Sequence, residues 1–132
     1  MNKAEKTIFD LVREELTDEI VPESYKNLVD SKFCGHCYHA SLAMYNLLGG
    51  KEKGYKLQKA IDEKDIVHYW LVNNENEIID ATVEQYTDLN RPLPYSKKKD
   101  NRASYRKTNA TKRIIDKVSA KLEKMPKLRG LN

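Results

Sequence analysis

At 132 residues, with 39% hydrophobic and 33% charged residues, the chain can bury one core but not two, and it should fold. Two cysteines three positions apart exclude a disulfide framework and leave catalysis or metal binding as their use. The net charge of +4 hides an asymmetry: residues 95–132 hold 13 Lys and Arg against 3 Asp and Glu, leaving 11 and 17 for residues 1–94. An acidic body and a basic tail follow, and such a tail suits a nucleic acid, an acidic protein or an anionic surface.

In chain order, residues 4 to 20 place Ile8, Phe9, Val12, Leu16 and Ile20 on one stripe and predict an amphipathic helix. Acids interrupt its apolar positions, so the reading includes neither a signal peptide nor a transmembrane helix and places the chain in the cytoplasm. Pro22 breaks the pattern, and a short helix or turn with Tyr25, Leu28 and Val29 inward leads to Phe33-Cys34-Gly35-His36-Cys37. From Cys37 onward Ala40, Met44, Tyr45 and Leu48 recur at helical spacing, and Gly49-Gly50 ends that helix through the left-handed cap glycine adopts freely. Residues 55 to 61 form a weak strand pattern with Tyr55, Leu57 and Ile61 inward. Residues 66 to 72 and 77 to 82, separated by Asn73-Asn74-Glu75-Asn76, read as a β-hairpin. Arg91-Pro92-Leu93-Pro94 closes the compact body, residues 96 to 107 read as a polar loop or disordered arm, and Thr108 or Asn109 caps a last helix. That helix carries Ile114, Ile115, Val118, Leu122 and Met125 on one side and is stopped by Pro126. The expected architecture is α+β: a body of residues 1–94, with the Cys37 helix packed on a small antiparallel sheet, and a basic arm and helix of residues 95–132.

The chemistry gathers on three residues. A thiol in a helix's first turn faces unpaired N–H groups and the positive end of the dipole, which favour the thiolate, so Cys37 is the candidate nucleophile. A thiolate attacking a carbonyl needs a base that takes and returns a proton and a third group that orients the imidazole. His68 on the first hairpin strand and Asp80 on the second supply both, provided the register puts them on one face. A three- or five-residue loop centred on Asn74 sets them opposite each other; a four-residue loop, Asn73 to Asn76, would separate them.

The order Cys, His on a strand, Asp on its neighbour resembles the papain-like and transglutaminase-like superfamily of cysteine enzymes. Cys34-Gly35-His36-Cys37-Tyr38 is similar to the papain-type C-G-[SA]-C-[WY], which maps the nucleophile onto Cys37. His68-Tyr69-Trp70 and Ile79-Asp80-Ala81-Thr82 look like the H-x-W and D-x-T strands of transglutaminase-like proteins, which map the base onto His68 and its orienting acid onto Asp80. The resemblance spans residues 31 to 86 and implies acyl transfer from a protein or peptide substrate through a thioester, without a cofactor. It departs at His36, where papain-like enzymes have Ser or Ala, and at Ser31, where they have the oxyanion-hole glutamine. The backbone N–H of Cys37, His36 and Gln85 are the candidate oxyanion donors, and Trp70 is a candidate wall of the site.

Singly, each of these residues has an ordinary reading: Cys37 as a small buried apolar group, His68 as a satisfied sheet histidine, Asp80 as a turn residue, Trp70 as core. Cys34, Cys37, His39 and His68 make a zinc site the competing use of the same stretch, weakened by the missing second half of the usual spacing. The rival from another class is a binding module that acts through residues 96–129 on a polyanion, with Tyr95 and Tyr105 as possible stacking groups.

Overall fold

The computed structural model describes residues 1–99 and 103–125. It is α+β, as the sequence predicts: helices α1 (Lys3–Glu14), α2 (Cys37–Leu47), the single turn α3 (Glu84–Thr87) and α4 (Asn109–Glu123) accompany strands β1 (Lys56–Ile61), β2 (Val67–Val72) and β3 (Ile78–Ile79). The strands form one antiparallel sheet in the order β1-β2-β3, so β2 is central. No helix among the described residues is long and apolar enough to cross a membrane.

Helix α1 starts on a capping box. Asn2 Oδ1 accepts the Glu5 N–H at 2.8 Å, and Glu5 Oε1 accepts the Asn2 N–H at 2.9 Å, which satisfies donors the first turn would otherwise leave unpaired. The helix ends at Glu14, six residues short of the expected end. Thr17 turns extended and Asp18–Ile20 forms a separate 3-10 turn, in keeping with the preference of Thr and Asp for caps over helix interiors. Leu16 and Ile20 still pack on the core, brought there by the turn rather than by helical periodicity.

Between Pro22 and Cys37 the chain runs in turns. Val29 is buried as expected, but Tyr25 and Leu28 are exposed rather than inward. Gly35 holds a φ of +81°, and a Cβ there would come within 2.5 Å of Val21 Cγ1, so only glycine fits the turn that delivers Cys37 to the first position of α2. Gly49, at φ +102°, stops α2 where the sequence predicts.

Side-chain alternation divides the sheet. Leu71 and Ile79 join Val12, Ala40, Met44, Ile114 and Val118 in one core shared with α1, α2 and α4, whereas Ala60, Trp70 and Val72 form a second cluster with Tyr95. In β1, Leu57 is buried but Ile61 is exposed, and Tyr55, just before the strand, is partly buried. The helix read as part of a separate basic arm therefore belongs to the principal core: Ile114 and Val118 are both fully buried. Thr108 caps it, accepting the Thr111 N–H. Residues 103 to 108 are tied to the body too, because Tyr105 Oη accepts the Leu57 N–H at 3.0 Å and Tyr38 Oη donates to the Arg106 carbonyl at 2.7 Å. Pro126 and the end of the 96–129 stretch lie outside the described residues.

Candidate active site

The hairpin register decides whether His68 and Asp80 can meet. Leu71 pairs with Ile79 and Val72 with Ile78, leaving a five-residue loop centred on Glu75, one residue beyond the expected centre. Asn73 builds that loop: its Oδ1 accepts the N–H groups of Glu75 and Glu77, while Asn76 takes the left-handed conformation at φ +61° that asparagine tolerates better than most residues. An odd-numbered loop keeps His68 and Asp80 on one face. The register places Asp80 across from Trp70, so His68 reaches it diagonally, within the range of cross-strand neighbours. Strand β3 is shorter than expected because Asp80 Oδ1 accepts the Thr82 N–H at 3.1 Å, turning the chain out of the sheet.

His68 Nε2 lies 2.6 Å from Asp80 Oδ2, with both side chains almost wholly buried. Asp80 Oδ2 also receives the hydroxyl of Tyr95 at 2.7 Å, and Thr82 Oγ1 supports Oδ1 at 3.4 Å. Cys37, half-buried at the first position of α2, sits by the start of β2: its Sγ is 3.9 Å from the Val67 carbonyl oxygen, and its side chain lines the same cavity as the His68 ring. Since Nε2 is held by the carboxylate, Nδ1 is the ring nitrogen left for the thiol. Burial pushes the imidazole down, but the hydrogen bonds to Asp80 and Cys37, and the charges of both, overcome it and raise His68 to about 10. The ring is thus held toward its protonated form beside the sulfur.

Cys37 and His68 open on a cavity of about 370 Å³. A larger hollow of about 740 Å³, between the start of α1 and the β2–β3 loop, is lined by neither cysteine nor histidine, so size does not locate the candidate thiol chemistry. Gln85 borders the smaller cavity, but its amide nitrogen donates to Thr82 Oγ1 at 3.0 Å, which makes it a support of the Asp80 turn. Trp70 does not line the cavity. It is fully buried, donates its indole N–H to Gln58 Oε1 at 3.0 Å, and stacks behind His68 with ring centroids 5.8 Å apart. His36 is likewise fully buried away from the cavity, with its Nδ1 2.7 Å from His39 Nε2.

The alternative zinc set is not assembled. Cys34 donates to the Tyr25 carbonyl, His39 is turned to His36, and among the described residues no group of three or more His, Cys, Asp or Glu side chains could hold a metal ion. Tyr95 and Tyr105 are engaged within the fold, Tyr95 on Asp80 and edge-on to Trp70, Tyr105 against Tyr45. Only the Thr82 contact had a sequence signal, the D-x-T spacing. No family model, curated protein or solved structure matches the chain. The site is therefore read from its own geometry.

The His36–His39 pair carries an expected result for stability. Burial lowers His36 to about 4, with Asp18 opposing; burial, with the neighbouring His36, lowers His39 to about 3. Depressed below the unfolded value of about 6.5, both groups stabilise the fold above that pH and lose their contribution as pH falls toward their folded values. His68, the chain's third and last histidine, is raised when folded and so opposes that loss in part, chiefly near pH 6.5 to 7. With about 1.4 kcal/mol per pKa unit, stability is expected to fall by on the order of 3 kcal/mol between pH 7 and pH 5. Urea midpoints across that range measure it, and a flat profile would remove the buried neutral pair.

Proposed function

We propose that the protein is a cysteine-dependent acyl-transfer enzyme that acts on an amide or peptide bond through a thioester on Cys37. The observation that carries this reading is the 2.6 Å contact between His68 Nε2 and Asp80 Oδ2, which leaves the other ring nitrogen for the thiol at a cavity mouth. The resemblance to papain-like and transglutaminase-like enzymes points the same way. In the acylation step, the Cys37 thiolate attacks the carbonyl carbon and the carbonyl electron pair moves to oxygen. N–H groups in the first turn of α2, which have no intrahelical acceptor, face the developing negative charge. As the tetrahedral species collapses, the C–N bond breaks and the departing amine takes the proton from His68 Nδ1. Neutral His68 then accepts a proton from water or a second amine as that group attacks the thioester. Collapse releases the acyl product and restores thiolate and imidazolium. Asp80 holds the ring in place, itself held by Tyr95 and Thr82.

Intact-mass spectrometry after mixing with an activated acyl ester tests this chemistry directly. An acyl increment on Cys37 that hydroxylamine removes, and that Cys37→Ala lacks, is the expected result. A protein that acquires no label, or acquires it equally as Cys37→Ala, is not this enzyme.

A further inference from the structure

Resting on the Cys37 reading, the cavity beside the thiol tells which acyl group it would accept. Of the large hydrophobic side chains that the described residues expose, Tyr25, Leu28 and Val67 gather at this one opening, 53%, 41% and 41% exposed. Apolar surface clustered at an active-site mouth is costly to leave in water and marks a binding surface. Deeper in, Tyr69 adds an aromatic wall, edge-on to Tyr38 at 4.9 Å.

Apart from the His68–Cys37 pair itself, the charged side chains that line the cavity, Asp62 and Arg91, are both spent internally. Asp62 Oδ1 accepts the N–H groups of Lys64 and Ile66, and its Oδ2 accepts the Tyr86 hydroxyl and Arg91 Nη2. Those bonds hold the carboxylate below its usual range against the opposing effect of burial. Arg91 in turn reaches Glu63 through Nε and Nη2 and the Gln85 carbonyl through Nη1. A charged substrate side chain entering here would shed its water and find neither charge free to pair with it. A large aliphatic or aromatic side chain would instead cover Tyr25, Leu28 and Val67 and be stabilised by the apolar area removed from water.

We propose that this cavity is the acyl-donor subsite of the enzyme, and that it takes a bulky, uncharged, apolar side chain of a peptide substrate. The volume of about 370 Å³ suits such a group rather than a bare small acyl chain.

Dipeptidyl acyloxymethyl ketones, which carry only the acyl part of a substrate, test the subsite on the full-length protein. Four are compared, with two leucines, two phenylalanines, two lysines or two aspartates, and iodoacetamide alongside as a reagent without side chains. The rate of Cys37 labelling is followed by intact mass. The leucyl and phenylalanyl ketones are expected to react at least tenfold faster than the lysyl and aspartyl ones, and the exposed substitution Leu28→Lys is expected to erase most of that preference. If Cys37 reacts with iodoacetamide and equally with all four ketones, or faster with a charged one, the subsite is overturned and the nucleophile stands. If none of the reagents labels Cys37, the nucleophile itself falls, and the subsite with it.

Discussion

Replacing His68 with alanine is expected to slow iodoacetamide alkylation of Cys37 at pH 6 by tenfold or more. The reason lies in which charge the ring carries. Burial pushes His68 down, but Asp80 and Cys37 overcome it and raise the ring, which favours its positive form at pH 6. A positive charge held next to sulfur favours the thiolate, the form that reacts with iodoacetamide, and about 1.4 kcal/mol of such coupling corresponds to a tenfold change in rate. Removing the imidazole removes that charge without touching the α2 dipole, so the residual reactivity of the variant measures what the helix start contributes alone. Asp80→Asn should fall between: the ring remains, but the carboxylate that raises it is gone. The sign is also fixed for folding. A raised imidazole stabilises the fold fully below about pH 6.5 and loses that contribution as pH rises toward 10, so wild type should lose more stability than His68→Ala over that alkaline range. An alkylation profile unchanged in His68→Ala would sink the pairing of base and nucleophile, and with it the acyl-transfer reading.

What could be seen in the sequence followed from local rules. Cys37 at a helix start, a glycine pair at its end, and a β-branched hairpin around an asparagine-rich loop each announce themselves within a few residues, and they were enough to name Cys37, His68 and Asp80. The loop centre was displaced by one residue because the side chain of Asn73, not the count of polar residues, sets where the strands part. What is built from distant segments had no local signature. Tyr95 lies 15 positions from the carboxylate it binds, and the Asp62–Tyr86–Arg91 cluster spans 29 positions. His36 illustrates the opposite failure: adjacent in sequence to the nucleophile, it turns inward to His39 because the helix start directs consecutive side chains to different sides. At the C-terminal end composition marked residues 95–132 as a basic arm and helix, and the periodicity of Ile114 and Val118 is what places that helix in the core.

Cutting the chain after Pro94 is therefore expected to abolish folding rather than yield a lean enzyme without its basic arm. Fully burying side chains such as Ile114 and Val118 contributes about 1.5 to 3 kcal/mol each, so those two alone account for roughly 3 to 6 kcal/mol. Their loss would also uncover the apolar sides of α1 and α2 against which α4 packs. A domain of this size has only about 5 to 15 kcal/mol of stability in all. Residues 1–94 should show no cooperative urea transition by circular dichroism. Milder changes separate the two roles of the segment. Ile114→Ala should lower stability by about 2 to 5 kcal/mol while leaving Cys37 reactive in the folded fraction. Tyr95→Phe keeps the ring against Trp70 and removes only the hydroxyl from Asp80, so its effect should appear in the alkylation profile more than in the urea midpoint. If residues 1–94 instead fold cooperatively and keep a reactive Cys37, the segment beyond Pro94 is a true appendage, and the binding-module reading of its charge regains its force.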